Sequence, residues 1–259
     1  MKQLDGRIAV VTGAGRGIGR AIACLFAAEG AAVVVAARTA AEGEETVSLI
    51  HGAGGKARFI PTDVSQDAQV RDLIAETVGT FGRLDALVNN AGIGGPGRPL
   101  DETSEVEWDR VIDTNLKGCY LGMRYAIPHM RAAGGGAIVN LSSVLAEHTL
   151  PGCTAYTASK AAIIGLTRAT ALEVGRDGIR VNCIQPGSTD TPMMWEGLTE
   201  NERIEVEPQV ASAAPLGKVG QPEEIARVAL FLVSDASSFM TGASVLVDGG
   251  LLTRIATVR

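Results

Sequence analysis

Aromatic residues, histidines and cysteines are scarce in this chain. Only 4% of its 259 residues are aromatic, three are histidines and four are cysteines. The cysteines form no C-x-x-C pair and stand in apolar or helical contexts, which predicts reduced thiols rather than a zinc site or a disulfide framework. We therefore expect a cytoplasmic protein with no bound metal. The four cysteines are Cys24, Cys119, Cys153 and Cys183.

The chain also lacks long apolar stretches and runs of a single charge. No apolar stretch approaches the ~20 residues that span a bilayer, and no signal-peptide pattern precedes the first predicted strand. The 23 basic residues are dispersed and the net charge is −6, unlike the basic footprint of a nucleic-acid-binding protein. We expect neither a membrane nor a nucleic acid as partner.

What the chain does contain is 46% hydrophobic residues and 32 glycines, enough for one α/β domain with a large core. Seven β-rich runs, most of them continuously apolar, alternate with helical stretches, as in parallel strands covered on both faces. The predicted strands are residues 8–12, 32–36, 57–61, 86–89, 137–141, 180–184 and 245–247, and helices are predicted at 18–29, 68–81, 106–131, 156–176 and from Pro222. This alternation predicts a single domain over residues 1–259, built on one Rossmann-type doubly wound parallel sheet.

A tyrosine and a lysine four residues apart form the first candidate catalytic pair. Tyr156 and Lys160 lie in Ala-Tyr-Thr-Ala-Ser-Lys-Ala, and positions i and i+4 share one helix face. A cation near the phenol is expected to lower its pKa from about 10 toward neutrality. Ser143, thirteen residues upstream, would hold a carbonyl or alcohol oxygen. Alone, the pattern fits an ordinary helix with an exposed tyrosine and a surface lysine equally well.

A glycine-rich turn follows the first predicted strand and opens directly into a helix. It reads Thr-Gly-Ala-Gly-Arg-Gly-Ile-Gly over residues 12–19. Such glycines allow a pyrophosphate to approach the backbone closely, where its charge meets the free N–H groups of the helix start. The strict G-x-G-x-x-G string is absent, because isoleucine stands at its third glycine position. The candidate cofactor-binding residues of this turn are Gly13, Gly15, Arg16, Gly17, Ile18 and Gly19.

The end of the second strand bears on the choice of cofactor. An NAD site usually places an acid here on the adenosine ribose 2′-hydroxyl, whereas an arginine suits a 2′-phosphate. Positions 36–39 hold no acid but do hold Arg38, and Arg16 could be a second cation on that phosphate. We therefore expect NADP(H), with NAD(H) still possible, since both arginines could also be ordinary surface residues.

Motifs after the later strands complete a family pattern. Asp63-Val64 follows the third strand, Asn-Asn-Ala-Gly at 89–92 follows the fourth, and Pro186-Gly187 follows the sixth. In this order, with the glycine turn and Tyr-x-x-x-Lys, the chain resembles the short-chain dehydrogenases/reductases almost from end to end. The resemblance implies a seven-stranded Rossmann-type sheet, nicotinamide-dependent hydride transfer between a carbonyl and an alcohol, and a homotetramer or dimer.

The resemblance also implies roles for individual residues. Tyr156 would be the acid of reduction and the base of oxidation, Lys160 would lower its pKa and hold the nicotinamide ribose, and Ser143 would position the carbonyl. Asn115 is expected to loosen its helix and to hold a water that links Lys160 to solvent. The other implied cofactor contacts are Asp63 and Val64 at the adenine, Asn89 over the adenosine side, Ala91 and Gly92 in the same motif, and Pro186, Gly187 and Thr191 around the nicotinamide.

The substrate is the part that the sequence determines least. Residues 191–215 are placed like the family's mobile lid, and Met193, Met194 and Trp195 suit an apolar ketone, although they equally fit ordinary packing. His148 and Cys153 could line the same pocket. We expect NADP-dependent reduction of carbonyl compounds with broad specificity. The alternatives are an NAD-dependent sugar, polyol or steroid dehydrogenase, a 3-oxoacyl-(acyl carrier protein) reductase and a non-catalytic nucleotide sensor.

The helix predicted at 156–176 carries more small and apolar residues than packing on one sheet face requires. They occupy more than one helix face, which predicts an exposed apolar stripe that a second copy of the chain covers. We expect a homo-oligomer, specifically a tetramer. The residues are Ala161, Ala162, Ile164, Leu166, Ala169 and Leu172.

Overall fold

The fold is a seven-stranded parallel sheet with helices on both faces. In the computed structural model, which describes residues 2–253, the strand order is β3-β2-β1-β4-β5-β6-β7. Met1 and residues 254–259, the ends of the predicted domain, lie outside the described residues. The strands are β1 (Ile8–Thr12), β2 (Ala32–Ala37), β3 (Lys56–Pro61), β4 (Ala86–Asn89), β5 (Gly136–Leu141), β6 (Ile179–Pro186) and β7 (Ser244–Val247).

Eight α-helices occur among the described residues, and none of them is long and apolar enough to cross a membrane. Every strand pair is parallel, so the chain returns through a connection on one face or the other. The helices are α1 (Gly17–Ala28), α2 (Ala40–Gly52), α3 (Asp67–Phe81), α4 (Glu105–Ile112), α5 (Gly118–Ala132), α6 (Thr154–Val174), α7 (Glu200–Ala213) and α8 (Pro222–Val233).

The central strands are apolar on both faces because both faces are covered. Val10 in β1 is fully buried and lies in register with Val34 of β2 on one side and Leu87 of β4 on the other. At the edge, β3 instead exposes Lys56 and Arg58. Charged side chains at the solvent side of an edge strand oppose pairing with another chain.

Two buried clusters, one on each face of the sheet, form the core. Helices α1, α2 and α8 pack on one face through residues such as Phe26, Ile50 and Leu232. Helices α3, α5 and α6 pack on the other through residues such as Leu73 and Met130. The strand order reverses between β1 and β4, so the connections that leave these two strands diverge and open a crevice at the carboxyl edge.

The structure differs from the predicted helices in three places. The helix predicted at 106–131 is interrupted by a π-helical turn, Asp113–Lys117, between α4 and α5. Two helices were not among those predicted: α2 between β2 and β3, and α7 within the predicted lid. Neither shows a strong apolar periodicity, and α7 buries none of its residues. The other predicted elements agree in type and lie within a few residues of the observed bounds.

Candidate active site

A single large cavity of about 990 Å³ occupies the crevice between β1 and β4 and runs from the glycine turn to the lid. Its volume is at the upper end of the range of small-molecule and cofactor sites. It brings together most of the residues that the sequence singled out, although they come from connections spread along the chain. The predicted residues on its wall are Gly13, Gly15, Arg16, Gly17, Ile18, Arg38, Asp63, Val64, Ala91, Gly92, Ser143, Tyr156, Lys160, Pro186, Gly187 and Thr191.

The start of α1 fits an anionic diphosphate. The first turn of this helix holds no acid, and within the described chain its N-cap residue, Arg16, makes no side-chain cap hydrogen bond. Gly17 has φ +55°, and an added Cβ there would lie 3.3 Å from the Thr191 methyl group. A side chain at this position would therefore be strained and would narrow the passage between the helix start and the lid. The helix N–H groups remain available to a phosphate.

The end of the cavity next to β2 and α2, where the sequence predicts the adenosine, contains the two predicted cations and one unpredicted acid. Arg16 and Arg38 both line it, as does Glu42 from the first turn of α2. The Glu42 carboxylate lies 3.6 Å from the Arg16 guanidinium. Glu42 lies beyond positions 36–39, where an acid is usual, and on a helix that the apolar pattern did not predict, so no sequence feature marked it.

Two of the predicted cofactor contacts lie away from the cavity wall. Asn89 is buried and donates a hydrogen bond to Asn140 (2.9 Å) of the neighbouring strand β5. Asn90 lines the cavity in its place and donates to the Thr12 carbonyl (2.9 Å). Gly19 is needed for packing, since an added Cβ would lie 2.3 Å from the carbonyl oxygen of Gly13. Strand alternation separates Asn89 from Asn90 and could have indicated which one faces the cavity.

Asn115 sits in the π-helical turn between α4 and α5, so the helix is loosened at the residue where loosening was expected. Its side chain is buried and clamps the loop after β4, accepting from the Ile93 N–H (2.8 Å) and donating to the Ile93 carbonyl (3.0 Å). It also donates to the Ser159 hydroxyl (3.1 Å). The position therefore joins three segments of the site, although Asn115 does not itself line the cavity.

Tyr156 and Ser143 line the cavity together and are hydrogen-bonded to each other. Ser143 stands two residues after the end of β5, and Tyr156 projects from the first turn of α6. Burial raises the pKa of the Tyr156 phenol above its ordinary value, and the hydrogen bond with Ser143 only partly opposes this rise. The prediction that a neighbouring cation lowers this pKa is not met in the structure, because desolvation outweighs the other contributions.

Lys160 is the most completely buried cation of the site. It donates a 2.8 Å hydrogen bond to the Leu141 carbonyl at the end of β5, and its ammonium lies 5.5 Å from the centre of the Tyr156 ring. Burial lowers the pKa of Lys160 to about 8. An added Cβ on Gly92 would lie 3.4 Å from this ammonium, so the glycine leaves it room at the cavity wall.

The substrate end of the cavity is mostly apolar. Met193 and Met194 line it, whereas Trp195 is buried below them and donates to the Asp190 carboxylate (2.7 Å). His148 and Cys153 both line the cavity, as anticipated. The apolar side chains around the Tyr156 side of the cavity are Leu145, Leu150, Met193, Met194, Val210 and Leu252.

A polar tie that was not anticipated connects the loop after Ser143 to β6. The Gln185 amide donates to the Glu147 carboxylate (2.9 Å) and accepts from the Ser244 hydroxyl (2.6 Å). Gln185 directly precedes Pro186, so the tie fixes the serine loop relative to the segment on the opposite wall. No sequence motif marked these residues, since they converge only through the pairing of β5, β6 and β7.

Comparison with known proteins agrees with this geometry. A family model described as enoyl-(acyl carrier protein) reductase matches residues 13–252. The chain is 44% identical to the cis-4-hydroxycyclohexanecarboxylate dehydrogenase of Sinomonas cyclohexanicum, over 94% of this chain and 96% of that one. It is 40% identical to the 3-oxoacyl-(acyl-carrier-protein) reductase of Thermotoga maritima, over 96% and 99% of the two chains.

Solved structures agree as well. The crystal structure of a short-chain type dehydrogenase/reductase from Mycobacterium marinum superimposes with a TM-score of 0.91 at 36% identity, covering 97% of this chain and 98% of that one. The fold is therefore shared over nearly the whole length. The chain belongs to the short-chain dehydrogenase/reductase family, whose members are nicotinamide-dependent oxidoreductases acting on CH–OH groups.

Proposed function

We propose that this enzyme interconverts apolar ketones and secondary alcohols with NADP(H), accepting a broad range of substrates. What supports the proposal is one continuous cavity that has two arginines at its adenosine end and apolar side chains around Tyr156 and Ser143 at the other. A 2′-phosphate is recognised by guanidinium groups, and an apolar wall favours a hydrophobic ketone over a polyhydroxylated sugar. The relative named for a hydroxycyclohexane carboxylate makes cyclic ketones a natural first group to test.

In this proposal the dinucleotide supplies or accepts the hydride. The Ser143 hydroxyl holds the substrate oxygen, and Tyr156 donates a proton to that oxygen during reduction and removes it during oxidation. Because burial raises the pKa of Tyr156, the phenol is protonated at neutral pH, which is the state that reduction requires.

Lys160 and Asn115 serve the same site in different ways. With a pKa of about 8, the Lys160 ammonium is predominantly charged at neutral pH and would hold the ribose hydroxyls near the nicotinamide. Asn115 would hold a water between Lys160 and solvent through the backbone of its π-helical turn, because its side chain is already engaged by Ile93 and Ser159.

Initial rates over a substrate panel would test the proposal. The panel should contain cyclohexanone, a long-chain methyl ketone, an aldose and a keto-steroid, each measured with NADPH and with NADH. We expect kcat/KM to be about tenfold higher with NADPH and highest for the two simple ketones. Arg38→Asp should erase or reverse the preference, because it removes a cation and adds a repulsive charge. Arg71→Asp, on the exposed face of α3, is the matched control. Equal or better use of NADH by the wild type would contradict the NADP assignment.

A second candidate is reduction of a 3-oxoacyl group on acyl carrier protein, which the Thermotoga maritima relative's name suggests. An acidic carrier needs cations near the site mouth. Arg131 lies just before the connection to β5, but its guanidinium is engaged in an ion pair with Asp177 (2.7 Å). This cation is therefore less available to an acidic carrier protein. Faster turnover of an acetoacetyl carrier-protein thioester than of cyclohexanone would favour this function over the first.

A further inference from the structure

Glu42 has the sequence context of a helix-capping residue, but its side chain does not cap the helix. Thr-Ala-Ala-Glu at residues 39–42 is a capping-box pattern, in which the glutamate should fold back to the N–H of the first residue. In the described chain, Thr39 makes no side-chain cap hydrogen bond, and the Glu42 carboxylate points instead toward Arg16.

The other helices of this chain show that the departure is specific to α2. Glu107 at the start of α4 and Glu202 at the start of α7 each complete the reciprocal box with a serine or threonine N-cap residue. The same local pattern therefore closes at both of these helices, whereas at α2 the glutamate is placed on the wall of the cofactor cavity.

The surrounding contacts hold Glu42 in this position. An added Cβ on Gly15 would lie 2.9 Å from the Glu42 Cβ and 3.3 Å from its carboxylate, so the glycine is what lets α2 approach the turn. Thr46, fully buried one turn later, donates to the Ala14 carbonyl (3.0 Å) and the Glu42 carbonyl (3.1 Å). Helix α2 therefore contacts the glycine turn closely at Glu42.

Glu42 consequently supplies an acid where the end of β2 lacks one. Its side chain is about one-third exposed and shares the adenosine end with Arg16 and Arg38. The remaining acid on that part of the wall, Asp63, already accepts from the Ser65 N–H (3.0 Å) and hydroxyl (2.8 Å). Of these groups, Glu42 and the two arginines are the ones that can respond to a ribose substituent.

We infer that Glu42 limits the preference for NADP(H) and lets the enzyme also bind NAD(H). Its carboxylate would accept a hydrogen bond from the adenosine ribose hydroxyls of NAD(H) and would repel the 2′-phosphate of NADP(H), which the two arginines attract. This inference rests on the dinucleotide occupying the cavity as proposed above. In a usual NAD site, the acid stands at the end of the second strand, here positions 36–39. Glu42 instead comes from the first turn of α2.

Binding of NADPH and NADH to the isolated enzyme, measured by calorimetry without substrate, tests the role of Glu42. Glu42→Gln keeps the size of the side chain and removes its charge. We expect NADPH to bind about fivefold more tightly to this variant and NADH about two- to threefold more weakly, as one removed charge in a partly exposed site would produce. The ratio of the two dissociation constants should therefore change by about tenfold.

Glu44→Gln is the matched control, because it lies in the same helix, is exposed and changes the net charge by the same amount. The inference fails if Glu42→Gln and Glu44→Gln change the ratio equally, since Glu42 would then be an ordinary helix-start acid. A wild type that binds NADH more tightly would contradict the proposed NADP preference. The shift caused by Glu42→Gln would still decide the role of Glu42.

Discussion

Tyr156 combines a half-buried phenol with a hydroxyl partner, Ser143, and this pairing determines what the loss of the phenol should do. Tyr156→Phe removes the proton that reduction needs but leaves the ring that packs in the cavity. We expect kcat to fall by about two to four orders of magnitude, the usual size of a lost acid–base group, with NADPH binding nearly unchanged.

Steady-state rates and a separate cofactor titration would check this prediction. Tyr125→Phe is a suitable control, since that phenol binds the Asp67 carboxylate (2.8 Å) at the surface and should leave the rates unchanged. If Tyr156→Phe retained more than about a tenth of the turnover, another group would have to be the proton donor.

The buried ammonium of Lys160 lowers the stability of the fold. Because burial lowers its pKa from 10.5 to about 8, the unfolded chain binds more protons than the folded chain between these two values. The cost is thus fully present below about pH 8 and disappears as the pH rises toward 10.5. Lys160→Met should raise the free energy of unfolding by about 1–3 kcal/mol at neutral pH, and the loss of the hydrogen bond to Leu141 should reduce this gain. The same substitution should abolish activity.

Urea unfolding at several pH values between about 7 and 9.5 would measure this effect. The gain of Lys160→Met over the wild type should shrink as the pH increases. Lys56→Met, on the exposed edge of β3, should change stability by no more than about 0.5 kcal/mol. A Lys160→Met protein that is less stable than the wild type at every pH would show that packing around the aliphatic chain outweighs the charge.

At the scale of elements, the lid predicted at residues 191–215 is bracketed by backbone pairing and contains an internal cluster of polar contacts. Thr189 pairs with Gly220, and the Asp190 N–H donates to the Gly220 carbonyl (2.8 Å), so the two ends of the lid meet. The Asp190 carboxylate accepts from Trp195 and from Arg203 of α7 (3.1 Å). The Arg203 guanidinium also lies 5.0 Å from the centre of the Trp195 ring. This cluster joins the start of the predicted lid to α7, the helix within it.

Arg203→Met should loosen the lid without touching the catalytic groups. The side chain can still pack on Trp195, but its charged bond to Asp190 is lost. We expect KM for the ketone to rise about three- to tenfold while kcat changes less than twofold, and the Trp195 emission to move to longer wavelength in a Trp108→Phe background. Arg71→Met in α3 serves as the control. An unchanged KM together with an unchanged emission would show that the cluster does not hold the lid.

At the scale of the whole molecule, the described chain leaves an apolar stripe on α6. Ala161, Gly165, Ala169 and Leu172 are exposed at successive turns, and Leu172 is 87% exposed. Patches of this kind are normally covered by a partner, and a helix face that pairs with its own copy gives an isologous interface.

We therefore expect a homotetramer, or at least a dimer, that buries α6 between subunits. Light scattering during size exclusion at micromolar concentration should give a multiple of 26.8 kDa. Leu172→Glu should lower that mass, because it places a charge in the contact. Leu49→Glu, on the exposed face of α2, should leave it unchanged. A wild type that elutes as a monomer would contradict the expected assembly.

The sequence by itself determined the sheet and most of the site, because both depend on short local patterns. Continuous apolar runs specify doubly covered strands, and a glycine turn, an Asn-Asn-Ala-Gly and a Tyr-x-x-x-Lys each follow a particular strand or open a particular helix. The parallel topology then brings them to one edge. Helices α2 and α7 were missed because their apolar periodicity is weak. The loosening at Asn115 was expected from the family resemblance alone, since its contact with the distant Ile93 leaves no local pattern.

Only the tertiary structure decided which atoms act on one another. The asparagine that faces the cavity, the acid that reaches Arg16 and the tie between Glu147 and Gln185 depend on elements that meet across the sheet. The direction of the Tyr156 pKa shift also depends on the tertiary structure. Sequence spacing places a cation beside the phenol, but the free energy of desolvation depends on how completely the folded chain encloses that phenol.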